Sequence, residues 1–472
     1  MSMRGVGAYI WAVATVVLAV AGVGLANSDA AADTIEWALV QAYQNNPSLN
    51  AQRAALRATD ENVPQALSGY RPKLSITAQG GYNYTSEGQQ VPIGSVLTNS
   101  QVAGTFLSRN VAANGTYTLF NGFQTANRTR QAESQVEGAR QTLRVTEQQV
   151  LLDAATAYMN LLRDQAIVDL NRRNVEVLTE QLRLARDRFV TGEVSRTDVA
   201  QAQTRLAAGQ TALANAQSNY ATSRANYRRV IGVYPGRLAP ASTVDRLSPN
   251  VLEKAIAEGQ ANSPSVLAAM YGVDAAALAV KISEGALYPN LALTASVSQG
   301  SNPAFEVLQQ TSAAVVGTLT VPIYQGGAEY SAIRQFKETL GQQRLNLDMN
   351  RDQARATVEQ SWAQVEGAKT TIESTTAQIN SAEVALNGVR EEARVGQRTT
   401  LDVLNAQQEL VNARVAHVTA QHDRVVASYT LLASVGGLSM PRLGLDVVIY
   451  DPQAHYQQVR DAWVGVRNPD GR

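Results

Sequence analysis

The 472-residue chain has no cysteine and three histidines. A disulfide framework and a cysteine-linked lipid are therefore excluded, and few ligands remain for a metal site. Lysine plus arginine and aspartate plus glutamate number 40 each, so no charge excess points to nucleic acid or to another charged partner. Proline is absent between Pro92 and Pro235 and between Pro322 and Pro441, which leaves room for very long helices.

The N-terminus is typical of an exported protein. Arg4 precedes an apolar run over about residues 6–25, and three alanines at 30–32 precede Asp33. We expect residues 1–32 to be a secretory signal peptide. The alternative is an uncleaved membrane anchor, because the run approaches the roughly 20 residues that span a bilayer. We expect no later transmembrane helix, so that any further membrane crossing must use strands.

The rest of the chain contains an internal repeat. The stretch NPSL at 46–49 is matched by SPSV at 263–266, a displacement of 217 residues, whereas FNG at 120–122 is matched by YQG at 324–326, a displacement of 204. The first copy therefore carries 13 more residues before its FNG stretch, and we expect these to form a loop. The predicted units are a first repeat at 33–248, a second at 249–450 and a C-terminal tail at 451–472 that the pattern leaves unplaced.

Two strands are predicted in each repeat because apolar residues alternate there with Ser, Thr, Asn and Gln. An ordinary half-buried antiparallel sheet would show the same alternation. Strand length, an uncharged polar face and the signal peptide favour a membrane barrel, and Tyr82, Tyr84 and Tyr117 fit an aromatic girdle. Four strands cannot close, so several chains must share one barrel of eight, twelve or sixteen strands. The predicted strands cover residues 71–86, 108–120, 288–300 and 311–323.

A long helical hairpin is predicted to follow each strand pair, at residues 121–231 and 325–436. Large apolar residues recur every seventh position in both, which is typical of a coiled coil. The first arm of each hairpin has 70 residues and would span roughly 105 Å at 1.5 Å per residue. Such helices are longer than a compact domain needs, and they fit a protein that crosses a wide compartment.

The two hairpin tips, at 190–195 and 395–399, have matching sequences. Each has a glycine suited to a left-handed helix end, then Ser or Thr, then an acid three residues later, which approximates a capping box. We therefore predict tight helical turns with capped helix starts. The residues concerned are Gly192, Ser195 and Asp198 in the first tip and Gly396, Thr399 and Asp402 in the second.

The order of strand pair, long helix and shorter return helix, repeated twice, resembles the TolC family of outer membrane efflux channels. The stretches NPSL, YRPKL, FNGF, YQGG and VGQRTTLDVLNAQQEL carry the resemblance. It implies an α+β fold dominated by helix, a homotrimer with one 12-stranded barrel in outer-membrane lipid, and a 12-helix tunnel through the periplasm. It also implies a conduit without catalysis or cofactor, which works with a periplasmic adaptor and an inner-membrane pump of the RND, ABC or MFS type.

The resemblance also implies a gate at the periplasmic tips. Asp402, repeated in three protomers, would line the constriction, and Arg398 would clamp the inner hairpin to Thr197 and Asp198 of the outer one. Asn405 stands where a second acidic ring is expected, which implies lower cation selectivity. Ala393 stands where a tyrosine would join the clamp, which implies a weaker lock. The hairpin tips would contact the adaptor.

One rival class is a periplasmic coiled-coil adaptor that never enters the outer membrane. Two hairpins and four amphipathic strands disfavour it, because an adaptor would have a single hairpin. His417 and His422 are five residues apart and so do not stack on one helix face, which favours polar contacts between helices over metal binding. The sequence does not choose between drugs and secreted protein as cargo.

Overall fold

The computed structural model describes residues 33–304 and 307–468, and the predicted signal peptide at 1–32 lies outside them. The described chain is dominated by helix and contains one antiparallel sheet, in agreement with the predicted fold class. The helices are α1 (Ile35–Asn45), α2 (Pro47–Asp60), α3 (Asn62–Leu67), α4 (Gln124–Val190), α5 (Arg196–Ile231), α6 (Leu252–Asn262), α7 (Pro264–Gly285), α8 (Ala328–Arg394), α9 (Thr400–Ser434), α10 (Met440–Leu443) and α11 (Ala454–Val459).

The sheet has four strands in sequence order, each antiparallel to the next. The strands are β1 (Lys73–Ile93), β2 (Val96–Asn121), β3 (Asn290–Ala304) and β4 (Val307–Thr320). Within the described chain β1 pairs with β2 alone and β4 with β3 alone, so each presents one edge without a strand partner. The protomer therefore holds an open sheet segment.

The first strand pair is longer than predicted, and the expected loop of 13 extra residues is wrong. Pairing continues without a break from Lys73 opposite Thr116 to Ile93 opposite Val96. Gly94 turns the chain with a φ of +64°, a conformation that glycine adopts at little cost. The insertion thus lengthens the hairpin. In the second pair β4 ends at Thr320, three residues before its predicted end, because Pro322 cannot donate a ladder hydrogen bond.

The two long helices, α4 and α8, have 67 residues each, which corresponds to about 100 Å at 1.5 Å per residue. Both start three residues later than predicted, after residues with positive φ: Phe123 at +62° and Gly327 at +83°. The return helix α5 packs along α4, and α9 packs along α8. Contacts between α4 and α9 join the two hairpins into one bundle.

The main hydrophobic core lies at the middle of the bundle, where α1 and the ends of α5 and α9 meet the centre of α4. Tyr158 is fully buried there, and its Oη lies 2.7 Å from Asp33 O and 2.6 Å from Ala239 O. Leu438 and Met440, which follow α9, are also fully buried in this core. Short segments therefore pack against the long helices at mid-height.

The expectation of no later transmembrane helix needs correction. The segment Leu252–Gly285 is long and apolar enough to cross a membrane by length and composition. It is divided between α6 and α7 at Ser263, and α7 lies along α4 and α8. The apolar side chains of α7 thus follow the long helices of the bundle.

The C-terminal tail folds back along the first repeat. His455 Nδ1 lies 3.1 Å from Asp60 Oδ2, and Arg460 lies 3.5 Å from Glu133. Tyr456 packs against the small core cluster of α3 and α4. These contacts place a tail that the sequence pattern left unassigned.

Candidate functional site

The two hairpin tips have the same backbone geometry. Gly192 and Gly396 have φ values of +79° and +81°, which side-chain-bearing residues rarely adopt. After each glycine a backbone N–H reaches back to the long helix: Glu193 N to Arg188 O at 2.9 Å, and Gln397 N to Glu392 O at 2.9 Å. These bonds satisfy helix-end carbonyls as a left-handed cap does. The predicted tight turns are therefore present.

Both predicted capping boxes are also confirmed. Asp198 N donates to Ser195 Oγ at 3.3 Å, and Ser195 N donates to Asp198 Oδ2 at 2.9 Å. In the second tip, Asp402 N donates to Thr399 Oγ1 at 3.2 Å, and Thr399 N donates to Asp402 Oδ2 at 3.0 Å. Each return helix thus starts with a reciprocally satisfied cap.

The carboxylate of Asp402 is held in its ionised form. The backbone and side chain of Thr399 donate to it, and together with the nearby Arg398 they hold the pKa of Asp402 below its usual range. Asp402 is solvent-accessible at the start of α9. A hydrated anion at the tip is what a cation-selective constriction requires.

Within the single chain, Arg398 pairs inside its own hairpin, and the predicted clamp to the outer hairpin stays a prediction. Arg398 Nε donates to Glu392 Oε2 at 2.8 Å, within the same hairpin. This contact, with Asp402 nearby, raises the pKa of Arg398 above its ordinary value. Within one protomer the structure does not bring Arg398 to Thr197 or Asp198, which lie in the first turn of α5. Glu392 is closer because the turn places the last helical turn of α8 beside it.

The two hairpins are joined near their tips by contacts that the sequence analysis missed. Arg205 Nη2 donates to Asn405 Oδ1 at 2.6 Å. Two residues further along α9, Gln407 Nε2 lies 3.4 Å from Asn174 Oδ1. Asn405, expected to leave a gap in an acidic ring, therefore links α9 to α5. The sequence carries a signal for this contact, because Arg205 is the only charged residue between Asp198 and Arg224.

Apolar packing supports the same junction. Leu404 is fully buried against a cluster that includes Leu178 and Leu182 of α4 and Ala202 of α5. Below this cluster the tip side chains are exposed, including Val190 at 86% and Val395 at 71%. The hairpins are thus packed together about one to two turns above tips that remain accessible.

His417 makes the contact between helices that was predicted for both histidines, whereas the partner of His422 is the next residue of its own helix. His417 Nδ1 lies 3.1 Å from Thr375 Oγ1, which joins α9 to α8. His422 is buried with Nδ1 2.8 Å from Asp423 Oδ1, and its pKa lies below the usual value chiefly because of burial. Among the described residues there is no group of three or more His, Asp or Glu side chains placed to hold a metal ion.

The sheet at the other end of the molecule has two chemically different faces. One is apolar and almost fully exposed in the protomer, with Leu74 at 83%, Ile76 at 79% and Tyr82 at 80%. The other carries uncharged polar groups that bond across strands, as Asn83 does to Ser108 at 2.6 Å. Exposed aromatic side chains cluster where strands meet helices: Tyr70, Phe123, Tyr288 and Tyr324. Such a sheet fits lipid on one side and water on the other.

Comparison with known proteins supports this interpretation. The sequence profile of the family described as "Outer membrane efflux protein" matches residues 38–233 and 255–437. The chain is 42% identical over 452 residues to the outer membrane efflux protein BepC of Brucella suis, covering 96% of each chain. It is 24% identical to the outer membrane protein TolC of Escherichia coli, covering 85% of this chain and 82% of the relative. The crystal structure of the Campylobacter jejuni CmeC outer membrane channel superimposes with a TM-score of 0.75 at 16% identity, over 90% of this chain and 89% of the other.

Proposed function

This chain belongs to the outer membrane efflux protein family, and from that premise we propose that it is the gated exit duct of a tripartite efflux or type I secretion system. The outer-membrane location and the channel fold are those of the family. Its members and structural relatives are channel proteins rather than enzymes. The rival assignment as a periplasmic adaptor is therefore not supported. What we propose beyond the family is the assembly of the duct, its gate and its partners.

One observation carries the proposed assembly as a homotrimer: an amphipathic sheet of four strands with an unpaired edge at each end. Backbone groups at such edges have no water to bond to in lipid, so the sheet must close with other copies. Three protomers joined from β1 to the neighbour's β4 would form twelve strands, which lies within the known range of such barrels. The long helices below would then surround a water-filled tunnel.

We place the gate at the second tip. Three copies of Asp402 around one axis would repel one another and select cations. Arg398 would hold the tip closed by contacts with Thr197 and Asp198 of an outer hairpin in the assembled ring. Asn405 is neutral and already bonded to Arg205, so it adds no second ring of charge, and cation selectivity is weaker than with two acidic rings.

The tips are also the proposed docking site for a periplasmic adaptor that connects the duct to an inner-membrane pump of the RND, ABC or MFS type. Exposed apolar side chains on a soluble part of a protein mark interaction surfaces when they cluster. Val190 and Val395 are exposed, one at each tip, close in sequence to the turn glycines Gly192 and Gly396, and assembly would bring six such tips to one end of the duct. The polar rim would come from Ser195 and Thr399, which cap the helices at each tip.

A bilayer recording tests the duct and its gate together. The mature chain is expected in the outer-membrane fraction as a heat-modifiable trimer, and the trimer is expected to conduct ions. Arg398→Ala is expected to raise the conductance several-fold because the closing contact is lost, and Asp402→Ala to reduce cation selectivity. Arg394→Ala is a matched control, since Arg394 pairs with Glu391 on its own helix at 3.3 Å. Detergent-free solubility of the mature chain would overturn the duct, and wild-type conductance in both tip variants would overturn the gate alone.

A further inference from the structure

The strands carry very few charges. In the four described strands the charged residues are Lys73, Glu87 and Arg109. Lys73 is the first residue of β1, at the end nearest the helices, and Glu87 lies in the part of β1 that extends past β3. Arg109 lies at the last position where β2 is paired on both sides, with Gly80 on β1 and Ser301 on β3, whereas Lys73 lies seven positions away along β1, opposite Thr116. Arg109 therefore lies within the wall of the proposed barrel.

Arg109 is on the apolar face of the sheet. Alternate residues of a strand share a face, so Arg109 points the same way as Val111, Ala113 and Tyr117. Directly paired residues also share a face, and Val111 is opposite Ala78 while Ala113 is opposite Ile76. The Arg109 side chain is exposed in the protomer. On a membrane barrel this face contacts lipid.

The height of Arg109 matches the outer edge of the lipid core. From Leu119, near the helical end of β2, the strand rises ten residues to Arg109. At ~3.4 Å per residue this is about 34 Å along the strand, or about 26 Å along the membrane normal at a tilt of ~40°. The apolar band of an outer-membrane barrel is ~25 Å tall and ends in an aromatic girdle. Tyr82 and Tyr84 lie on the same face just beyond this level.

The residues around Arg109 are hydrogen-bond donors and small residues. Ser301 is directly opposite on β3, Gln299 is one step away on the same face, and Gln309 follows Ser301 across to β4. On the other side is Gly80, where an added Cβ would meet nothing closer than a backbone oxygen at 3.8 Å. Space is thus available beside the guanidinium. In the described strands the nearest carboxylate along β1 is Glu87, seven residues beyond Gly80.

An arginine on a lipid-facing surface is destabilising unless it reaches an anion or the interface. Arginine is the side chain best suited to a phosphate, because its planar fork donates two parallel hydrogen bonds. In the described strands no protein carboxylate lies beside Arg109 on this face, which points to the membrane itself as the source of an anion. At this height the available groups are lipid headgroups of the outer leaflet.

We propose that Arg109, with Ser301 and Gln299, binds a phosphate of an outer-leaflet glycolipid on the outside of the barrel wall. The site lies apart from the tips and from the transport path, and the proposed trimer would carry three copies. It rests on the outer-membrane location but not on the gate or the cargo. Bound glycolipid would neutralise the Arg109 cation and hold the barrel at a fixed depth.

Native mass spectrometry of the purified full-length trimer tests the proposal. The probe is a diphosphorylated glucosamine glycolipid added in detergent, and the comparison is the same lipid with its phosphates removed. The wild type is expected to retain the phosphorylated lipid at least tenfold better. Arg109→Gln is expected to abolish that preference, Arg109→Lys to keep part of it, and Lys73→Gln, the matched control on the same sheet, to leave it unchanged.

Several outcomes would overturn the proposal. Equal retention of the two lipids by the wild type would do so, as would an unchanged preference in Arg109→Gln. Displacement of the lipid by millimolar inorganic phosphate would show a site for the free anion instead. If Arg109→Gln fails to assemble as a heat-modifiable trimer, Gln299→Leu is the second variant. This variant retains the Arg109 cation, and it is expected to lower the preference for the phosphorylated lipid by about threefold. An unchanged preference in Gln299→Leu would count against the site.

Discussion

Arg398 Nε lies 2.8 Å from Glu392 Oε2, and the two residues flank the turn between α8 and α9. Both side chains are about half exposed, at 52% and 44%. An ion pair in that position is screened by water and is easily exchanged. In the proposed gate, Glu392 would therefore compete with the outer hairpin for Arg398, and closure of the tip would depend on which of the two partners holds the guanidinium.

Removing the competitor should have the opposite effect to removing the arginine. Glu392→Gln frees Arg398 to contact Thr197 and Asp198, so the conductance of the trimer is expected to fall below the wild-type value, whereas Arg398→Ala raises it. The double variant should behave as Arg398→Ala does. Single-channel recording of the three variants checks this, and an increase in Glu392→Gln would refute the competition.

The cap at Asp402 gives a pH dependence with a defined sign. Its pKa is lower in the folded protein than the ordinary value of 3.8, because Thr399 donates to the carboxylate. The stabilisation of the first turn of α9 is therefore fully present above pH 3.8 and is lost as the pH falls through the lowered pKa. Hydrogen exchange in this turn, corrected for intrinsic rates, should show that loss in the wild type and not in Asp402→Asn.

Thr399→Ala removes the other half of the cap. The loss of an N-cap side chain costs about 1 kcal/mol, which corresponds to roughly fivefold faster local exchange at the start of α9. Ser195→Ala is the matched control, because it removes the equivalent hydroxyl from α5 and should leave α9 unchanged. Equal protection of α9 in Thr399→Ala and the wild type would show that the cap does not stabilise this turn.

The turn glycine at the second tip should be less tolerant than a glycine inside α8. Gly396 has a φ of +81°, where alanine is strained by about 1–2 kcal/mol. Gly388 is helical and an added Cβ meets nothing within 4 Å, so alanine there should stabilise α8 by about 0.5–1 kcal/mol. Tryptic cleavage at Arg398 is expected to be faster in Gly396→Ala and no faster in Gly388→Ala. The reverse order would contradict the assigned turn.

The tail is expected to detach when His455 is removed. Asp60 is fully buried, its Oδ2 contacts His455, and its Oδ1 has no hydrogen-bond partner. His455→Ala leaves that carboxylate unpaired, at a cost of about 3 kcal/mol, and tryptic cleavage after Arg460 should accelerate. The double variant Asp60→Asn/His455→Ala should recover part of the loss. Burial raises the pKa of Asp60, so this local stability should fall as the pH rises through that pKa.

Periodic features were predictable from the sequence, and long-range ones were not. The capping boxes at Ser195 and Thr399 follow from residues three apart, and the strands follow from alternation. The lengthening of β1 and β2 was missed because a difference in repeat length does not reveal whether the extra residues pair. The contact of Arg205 with Asn405 joins residues 200 positions apart, and no local pattern specifies such a partner.

The same reason explains why the position of the tail and the partner of Arg398 within the single chain were not predicted. The helix that carries His455 has six residues, too few for a periodic signal, and its contacts are with residues far away in the sequence, such as Asp60 and Glu133. The partner of Arg398 was inferred from family resemblance. In the single chain, proximity within the turn favours Glu392, which is six residues away along the sequence.

In the proposed trimer, the unequal lengths of the two strand pairs would determine the shape of the outlet. Beyond the pairing of Arg109 with Ser301, β2 continues for thirteen residues to Val96 with β1 as its only named strand partner in the described chain. The closed barrel wall would therefore end at this level, and three separate two-stranded hairpins would extend beyond it with gaps between them. Cargo would leave sideways through the gaps between these hairpins as well as along the barrel axis. A large particle resting on the hairpin ends would therefore not block the exit.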